Sequence, residues 1–186
     1  MFKFMLAFLL MTITTEVHSN TTSINAYGFQ FKSIDGEELK LSKYTNKVLL
    51  VVNTASRCGF TPQYTALQNL WDQYKNKGLV VIGVPSGDFG NQELGSDEKI
   101  KNFCEVNFNI NFPMTTRSHV KGPKAHPFYK WANKQVGFTG TPRWNFHKFL
   151  IGPEGQIVDW FASTTKPSSS KIKSKIEKQL SLIKQK

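Results

Sequence analysis

At 186 residues, with 39% hydrophobic and 13% aromatic side chains, the chain is long enough for one substantial core and gives no reason to expect a second domain. Its net charge of +11 favours anionic partners, but no zinc-finger spacing or RNA-binding aromatic signature accompanies it, so charge alone does not make a nucleic-acid binder. Two cysteines, Cys58 and Cys104, without any Cys-x-x-Cys, exclude a disulfide scaffold, the usual dithiol exchange motif and a cysteine-based structural zinc site.

In chain order, residues 1–19 read as a secretory signal peptide. Lys3 supplies the positive start, Phe4 to Ile13 the apolar stretch, and Val17-His18-Ser19 the approach to a cut, so the mature chain begins near Asn20. That stretch is too short to span a bilayer, which needs about 20 apolar residues; an uncleaved anchor and cytoplasmic retention are the alternatives. Cleavage removes Lys3 and Glu16 together and leaves the charge at +11. In an exported protein an even cysteine count also invites a disulfide.

Residues 20–186 read as one domain. Tyr27 to Ile34 alternates as a strand, with Phe29 and Phe31 on one side, and Asp35-Gly36 turns it into a hairpin leading to Leu39 and Leu41. Val48 to Val52 is a β-branched apolar run, a strand buried on both faces. A helix over Pro62–Lys77 follows, carrying Leu67, Leu70, Trp71 and Tyr74 at helical spacing and closed by Gly78; then comes a second buried strand, Leu79–Val84. Ser96-Asp97-Glu98 opens another helix that turns Ile100, Phe103 and Val106 inward. His126 to Asn133 is a short helix, and Phe146–Ile151 pairs with Gln156–Phe161 across Gly152-Pro153-Glu154-Gly155. In the lysine-rich tail, Ile172, Ile176, Leu180 and Ile183 share one helical stripe, which suits docking on the sheet better than a membrane surface. The alternation predicts an α/β, thioredoxin-like fold: a mixed central sheet flanked by helices, with an N-terminal β-hairpin.

Reactive groups in open α/β sheets gather outside the carboxyl ends of the parallel strands. Cys58 and the Pro85–Glu93 loop both follow such ends. Cys58 also precedes a helix, where N–H groups and the helix dipole favour a thiolate. By position alone a buried structural cysteine stands level with a nucleophile.

Three segments then carry a resemblance. Asn53-Thr54-Ala55-Ser56-Arg57-Cys58-Gly59-Phe60-Thr61, Phe89-Gly90-Asn91-Gln92-Glu93 and Trp144-Asn145-Phe146-His147-Lys148-Phe149 resemble, in order and spacing, the signatures of the glutathione peroxidase family. The resemblance covers about Ile24 to Lys178. It implies a catalytic tetrad of Cys58, Gln92, Trp144 and Asn145, with cysteine where some animal members have selenocysteine. Amide and indole N–H donors stabilise a thiolate and hold a peroxide oxygen as it becomes anionic. Taken singly, Trp144 reads as a core aromatic, Asn145 as a turn residue and Gln92 as a solvated loop side chain.

The resemblance implies reduction of hydrogen peroxide and of organic or lipid hydroperoxides, with protection against oxidative stress. It implies no cofactor, and glutathione or a thioredoxin-like protein as thiol donor. That supply sits awkwardly with an exported compartment. Asp88 stands where the family has a glutamine, and its carboxylate opposes thiolate formation if it faces the pocket. Thioredoxin-dependent members carry a resolving cysteine on the helix after this loop. Cys104 lies on that helix one position before the usual site, so it is either a resolving thiol or a core thiol. The brief Gln135–Arg143 segment resembles the monomeric, phospholipid-hydroperoxide type, and the basic surface suits anionic membranes. Arg57 and Lys148 flank the motifs and either attract an acidic reductant or are simply solvated. The rival readings are an exported thioredoxin-fold disulfide exchange protein, and a membrane- or polyanion-binding protein without peroxidase activity.

Overall fold

The computed structural model describes residues 24–183, so the expected signal peptide lies outside the described residues. Strands β1 (Gln30–Lys32) and β2 (Glu38–Lys40) pair as an antiparallel hairpin, with Phe31 and Leu39 facing inward. β1 is shorter than the sequence suggests because Ala26–Gly28 winds into a 3-10 turn, capped by the Asn25 side chain accepting from Tyr27 N.

The main sheet has the order β4-β3-β5-β6. β3 (Val48–Thr54) and β4 (Leu79–Pro85) run parallel and are buried at every residue, as continuous apolar runs require. β5 (Lys148–Ile151) pairs antiparallel with β3, and β6 (Ile157–Phe161) antiparallel with β5. The predicted mixed sheet and late hairpin are both present. The first helix, α1 (Gln63–Tyr74), starts one residue after Pro62, which is its N-cap, and a 3-10 turn carries the chain to Gly78 at φ 107°.

Two apolar layers sandwich the sheet. One contains Val48, Leu50 and Val52 with Tyr64 and Leu67 of α1, Ile100 and Cys104 of α2 (Asp97–Phe108), and Ile172 and Ile176 of α4 (Ser170–Leu180). The other contains Leu49 and Val51 with Phe31, Leu39, and Phe128, Tyr129 and Trp131 of α3 (Pro127–Gly140). The tail helix therefore docks on the sheet, and the Tyr74 hydroxyl donates to Glu177 at 2.6 Å across the α1–α4 contact. Two expectations need correction. Val106 points outward at 71% exposure, because the one inward stripe of α2 is already filled by Ile100 and Cys104. α3 continues past Asn133 to Gly140 through a kink at Gly137, whose φ of 66° only glycine takes readily.

Candidate active site

Cys58 lies in the tight turn that joins the carboxyl end of β3 to α1, and it is buried, with 7% exposed. Thr61 builds that turn. Its hydroxyl oxygen accepts from Cys58 N at 3.0 Å and donates to Ala55 O at 2.9 Å, while Thr61 N donates to Cys58 O at 2.9 Å. Phe60 N–H then donates to the sulfur itself at 3.4 Å. The sulfur thus sits against a backbone donor at the strand's carboxyl end.

The second segment is fastened to this turn. Arg57 N donates to Gln92 O at 2.9 Å, and Ser56 N donates to Glu93 Oε1 at 3.0 Å. Leu94 N donates to the same oxygen at 2.8 Å, so one carboxylate oxygen holds both the cysteine turn and the glutamine loop. Glu93 is 5% exposed, and burial raises its pKa against the hydrogen bonds from Ser56 and Leu94.

The third segment closes over both. Asn53, near the end of β3, donates from Nδ2 to Trp144 O at 3.0 Å and accepts from Phe146 N at 2.6 Å, bracketing Asn145 between them. Phe146 takes φ 62°, a strained turn for a bulky residue, and for this reason β5 begins at Lys148 rather than at Phe146. Asn145 is fully buried and donates from Nδ2 to Gln92 Oε1 at 3.1 Å and to Phe89 O at 3.3 Å. With its carbonyl taken by Asn145, Gln92 keeps both N–H donors of its amide free of that bond. Trp144 is 40% exposed, packs at a tilt against Phe89 with ring centroids 6.0 Å apart, and lies close over Gly90. Gln92, Trp144 and Asn145 therefore form one group fixed to the Cys58 turn.

Asp88 faces away from that group. Its carboxylate accepts from His119 Nδ1 at 2.7 Å, Val120 N at 2.7 Å and Lys121 N at 3.2 Å. Burial raises its pKa, but these hydrogen bonds outweigh burial and hold it below the usual carboxylate range. Lys148 corrects an expectation. It is fully buried and gives its hydrogens to Gln63 Oε1 at 2.6 Å, Thr165 O at 2.7 Å and Ser163 O at 3.5 Å, so it cannot attract a reductant at the surface; Arg57 is exposed. Cys104 points inward with 1% exposed, and burial pushes its thiol up to about 11.

Sequence reasoning passed over Asn53, Thr61 and Glu93. Each sits inside a motif it singled out, but nothing in periodicity marks a polar side chain that serves backbone amides. Among the described residues no cluster of three or more His, Cys, Asp or Glu is placed to hold a metal.

A mixed sheet flanked by helices, with a cysteine in the strand-to-helix turn and the Gln92 loop tied to that turn by the Arg57–Gln92 backbone hydrogen bond, defines a protein of the thioredoxin-like fold. The glutathione peroxidase family model matches residues 26–133, and the chain belongs to the glutathione peroxidase family. It is 42% identical over 146 residues to "Glutathione peroxidase" of Lactococcus lactis subsp. cremoris, covering 77% of this chain and 93% of that one. It is 41% identical over 162 residues to "Hydroperoxy fatty acid reductase gpx1" of Synechocystis, covering 83% and 95%. The crystal structure of T. cruzi GPX1 superposes with a TM-score of 0.68 at 30% identity, covering 85% of this chain and 97% of that one.

Proposed function

We propose that this protein is a thiol peroxidase that reduces hydrogen peroxide and organic hydroperoxides, lipid hydroperoxides included, and so protects against oxidative stress. The observation that carries this reading is the Phe60 N–H on Cys58 Sγ within a turn tied to the Gln92–Asn145 pair. The Cys58 thiolate attacks the distal peroxide oxygen. The S–O bond forms, the O–O bond breaks, and the departing oxygen takes a proton to leave as water or alcohol, with Cys58 oxidised to a sulfenic acid. The donors of Gln92 and Trp144 stabilise the thiolate and then the charge on the leaving oxygen, while Asn145, whose amide hydrogens go to Gln92 Oε1 and Phe89 O, holds the Gln92 side chain in place. A second thiol displaces water to give a disulfide, and an external thiol reduces it.

We take Cys104 as that second thiol, with glutathione as the alternative and a thioredoxin-like protein as the external donor. No prosthetic group enters the scheme. A cleft of about 200 Å³ lined by Phe60, Trp144, His147 and Trp160 adjoins the cysteine turn and suits the organic part of a hydroperoxide. At its mouth Arg143 stacks 4.6 Å from the ring of Phe138, which is 82% exposed, and this pair supports contact with an anionic membrane by a monomer. Export by cleavage near Asn20 is part of the reading, checked by the N-terminus of protein recovered outside the cytoplasm.

The test is peroxide consumption by Cys58→Ser, with thioredoxin or glutathione as sole donor. Turnover should vanish with the fold intact by circular dichroism, and retained turnover rejects the mechanism.

A further inference from the structure

The aromatic cleft beside the cysteine turn holds a buried acceptor that the scheme above does not use. His147 lines that cleft together with Phe60, Trp144 and Trp160. It is 3% exposed where Trp144 is 40% exposed, so it stands at the deep end of the lining. Its ring nitrogen Nε2 is buried without a hydrogen-bond partner. Buried polar atoms are nearly always paired, so an orphan on the wall of a cleft marks a bond that a bound molecule supplies.

The ring is held in place from several sides. It stacks on Trp160 with centroids 5.6 Å and planes 13° apart, and meets Phe149 in a T-shaped contact at 4.9 Å. Its main chain is tied to the cysteine strand, because Asn53 N donates to His147 O at 3.2 Å, and the Asn53 side chain also holds Trp144 O. The Gly140 carbonyl, at the end of α3, takes the hydrogen of the other ring nitrogen, Nδ1, which leaves a bare lone pair at Nε2. Burial, then the neighbouring Lys148 charge, lowers the pKa of His147 to about 4, so the ring is neutral at physiological pH and Nε2 accepts without donating. A ligand in this cleft must therefore bring a donor, and an alkyl hydroperoxide carries a single one, its terminal O–H.

We propose that His147 Nε2 accepts the O–H hydrogen bond of the bound hydroperoxide, which makes His147 a specificity-determining residue for substrates with a free O–OH terminus. This rests on the peroxidase reading above. A thiolate is itself a strong acceptor, and a peroxide left to itself gives its hydrogen to the sulfur, a ground-state bond that must break before attack. Held by His147, the hydrogen is turned away and the terminal oxygen is open to Cys58 Sγ. The hydrogen stays on that oxygen throughout. As the S–O bond forms and the O–O bond breaks, it becomes the hydroxyl hydrogen of the sulfenic acid, and the departing alkoxide takes its proton as in the scheme above. His147 neither gains nor loses a proton.

Binding is read without turnover in Cys58→Ser protein, by tryptophan fluorescence, since Trp144 and Trp160 both line the cleft. The probes are tert-butyl hydroperoxide and tert-butyl methyl peroxide, one skeleton with the O–H hydrogen present or replaced by methyl. The hydroperoxide should bind about tenfold more tightly, and adding His147→Phe, which keeps the ring stack, should bring the two affinities to about the same value. In the same Cys58→Ser protein labelled with nitrogen-15 histidine, the hydroperoxide should move the His147 Nε2 resonance upfield and the methyl peroxide should not. That measurement needs no substitution at His147 and serves alone if His147→Phe does not fold. Equal binding of the two probes, no binding of either, or an Nε2 resonance that ignores the hydroperoxide overturns the proposal. So does a preference that persists in His147→Phe, which marks steric exclusion of the methyl group. None of these measurements uses turnover, so the peroxidase reading stands or falls separately, on peroxide consumption by the unsubstituted protein.

Discussion

Lys148 is a cation without a surface. Its three N–H donors meet three uncharged oxygens, a match to the ammonium form, but burial dominates and pulls its pKa from 10.5 to about 7. The sign of the consequence follows from proton counting. Between about pH 7 and 10.5 the unfolded chain binds a proton that the folded protein has released, so stability rises with pH across that window. Lys148→Met should flatten the rise, as read from urea midpoints at both ends of it, and should leave the Gln63 and Thr165 acceptors unpaired at a cost of about 1–3 kcal/mol. His147 acts in the same direction at lower pH. Burial, then the neighbouring Lys148 charge, lowers its pKa to about 4, so stability falls as pH drops from 6.5 toward 4. The sequence marked Lys148 as a flanking charge because residue type argues for the surface. Only the strand register, which pairs Lys148 with Val52 in the middle of the sheet, reveals it as buried.

Elements with a strong period were legible, and those defined by polar bonds were not. The β3, α1 and β4 segments follow from β-branched runs and helical spacing, and Gly78 ends the intervening helix at the left-handed position anticipated for it. The tail helix illustrates the same rule. Its stripe of isoleucines predicts docking, and Ile172 and Ile176 are fully buried. Ile176→Ala should lower stability by about 2–4 kcal/mol in urea denaturation without changing the rate of the first turnover, since α4 contributes packing and no reacting group. By contrast the start of β5, the full length of α3 and the outward turn of Val106 depend on Phe146 at positive φ, on the Gly137 kink, and on how much of α2 the sheet can cover. None of these leaves a periodic trace. The tetrad residues were reached through motif resemblance, and the group that positions them, Glu93, has no signal beyond standing next to Gln92.

At the scale of the whole molecule, charge and shape act together. With +11 on a single small domain, encounter with acidic partners should be fast at low salt and weaken as the Debye length shrinks to about 8 Å at physiological ionic strength. The membrane contact proposed above puts the Phe138–Arg143 pair at the landing site. Phe138→Ser should reduce sedimentation with phosphatidylserine vesicles and raise KM for a phospholipid hydroperoxide by several-fold. The KM for hydrogen peroxide should stay fixed, because that substrate needs no apolar landing site. Equal changes for both substrates would place Phe138 in the catalytic group instead. Finally, the burial of each sulfur sorts reagents by size. With 7% of Cys58 and 1% of Cys104 reachable, a bulky maleimide meets a wall where a two-atom oxidant meets an open door. Surveys that count thiols by alkylating native protein should therefore score this chain as inert, even though Cys58 is the sulfur proposed to react with peroxide.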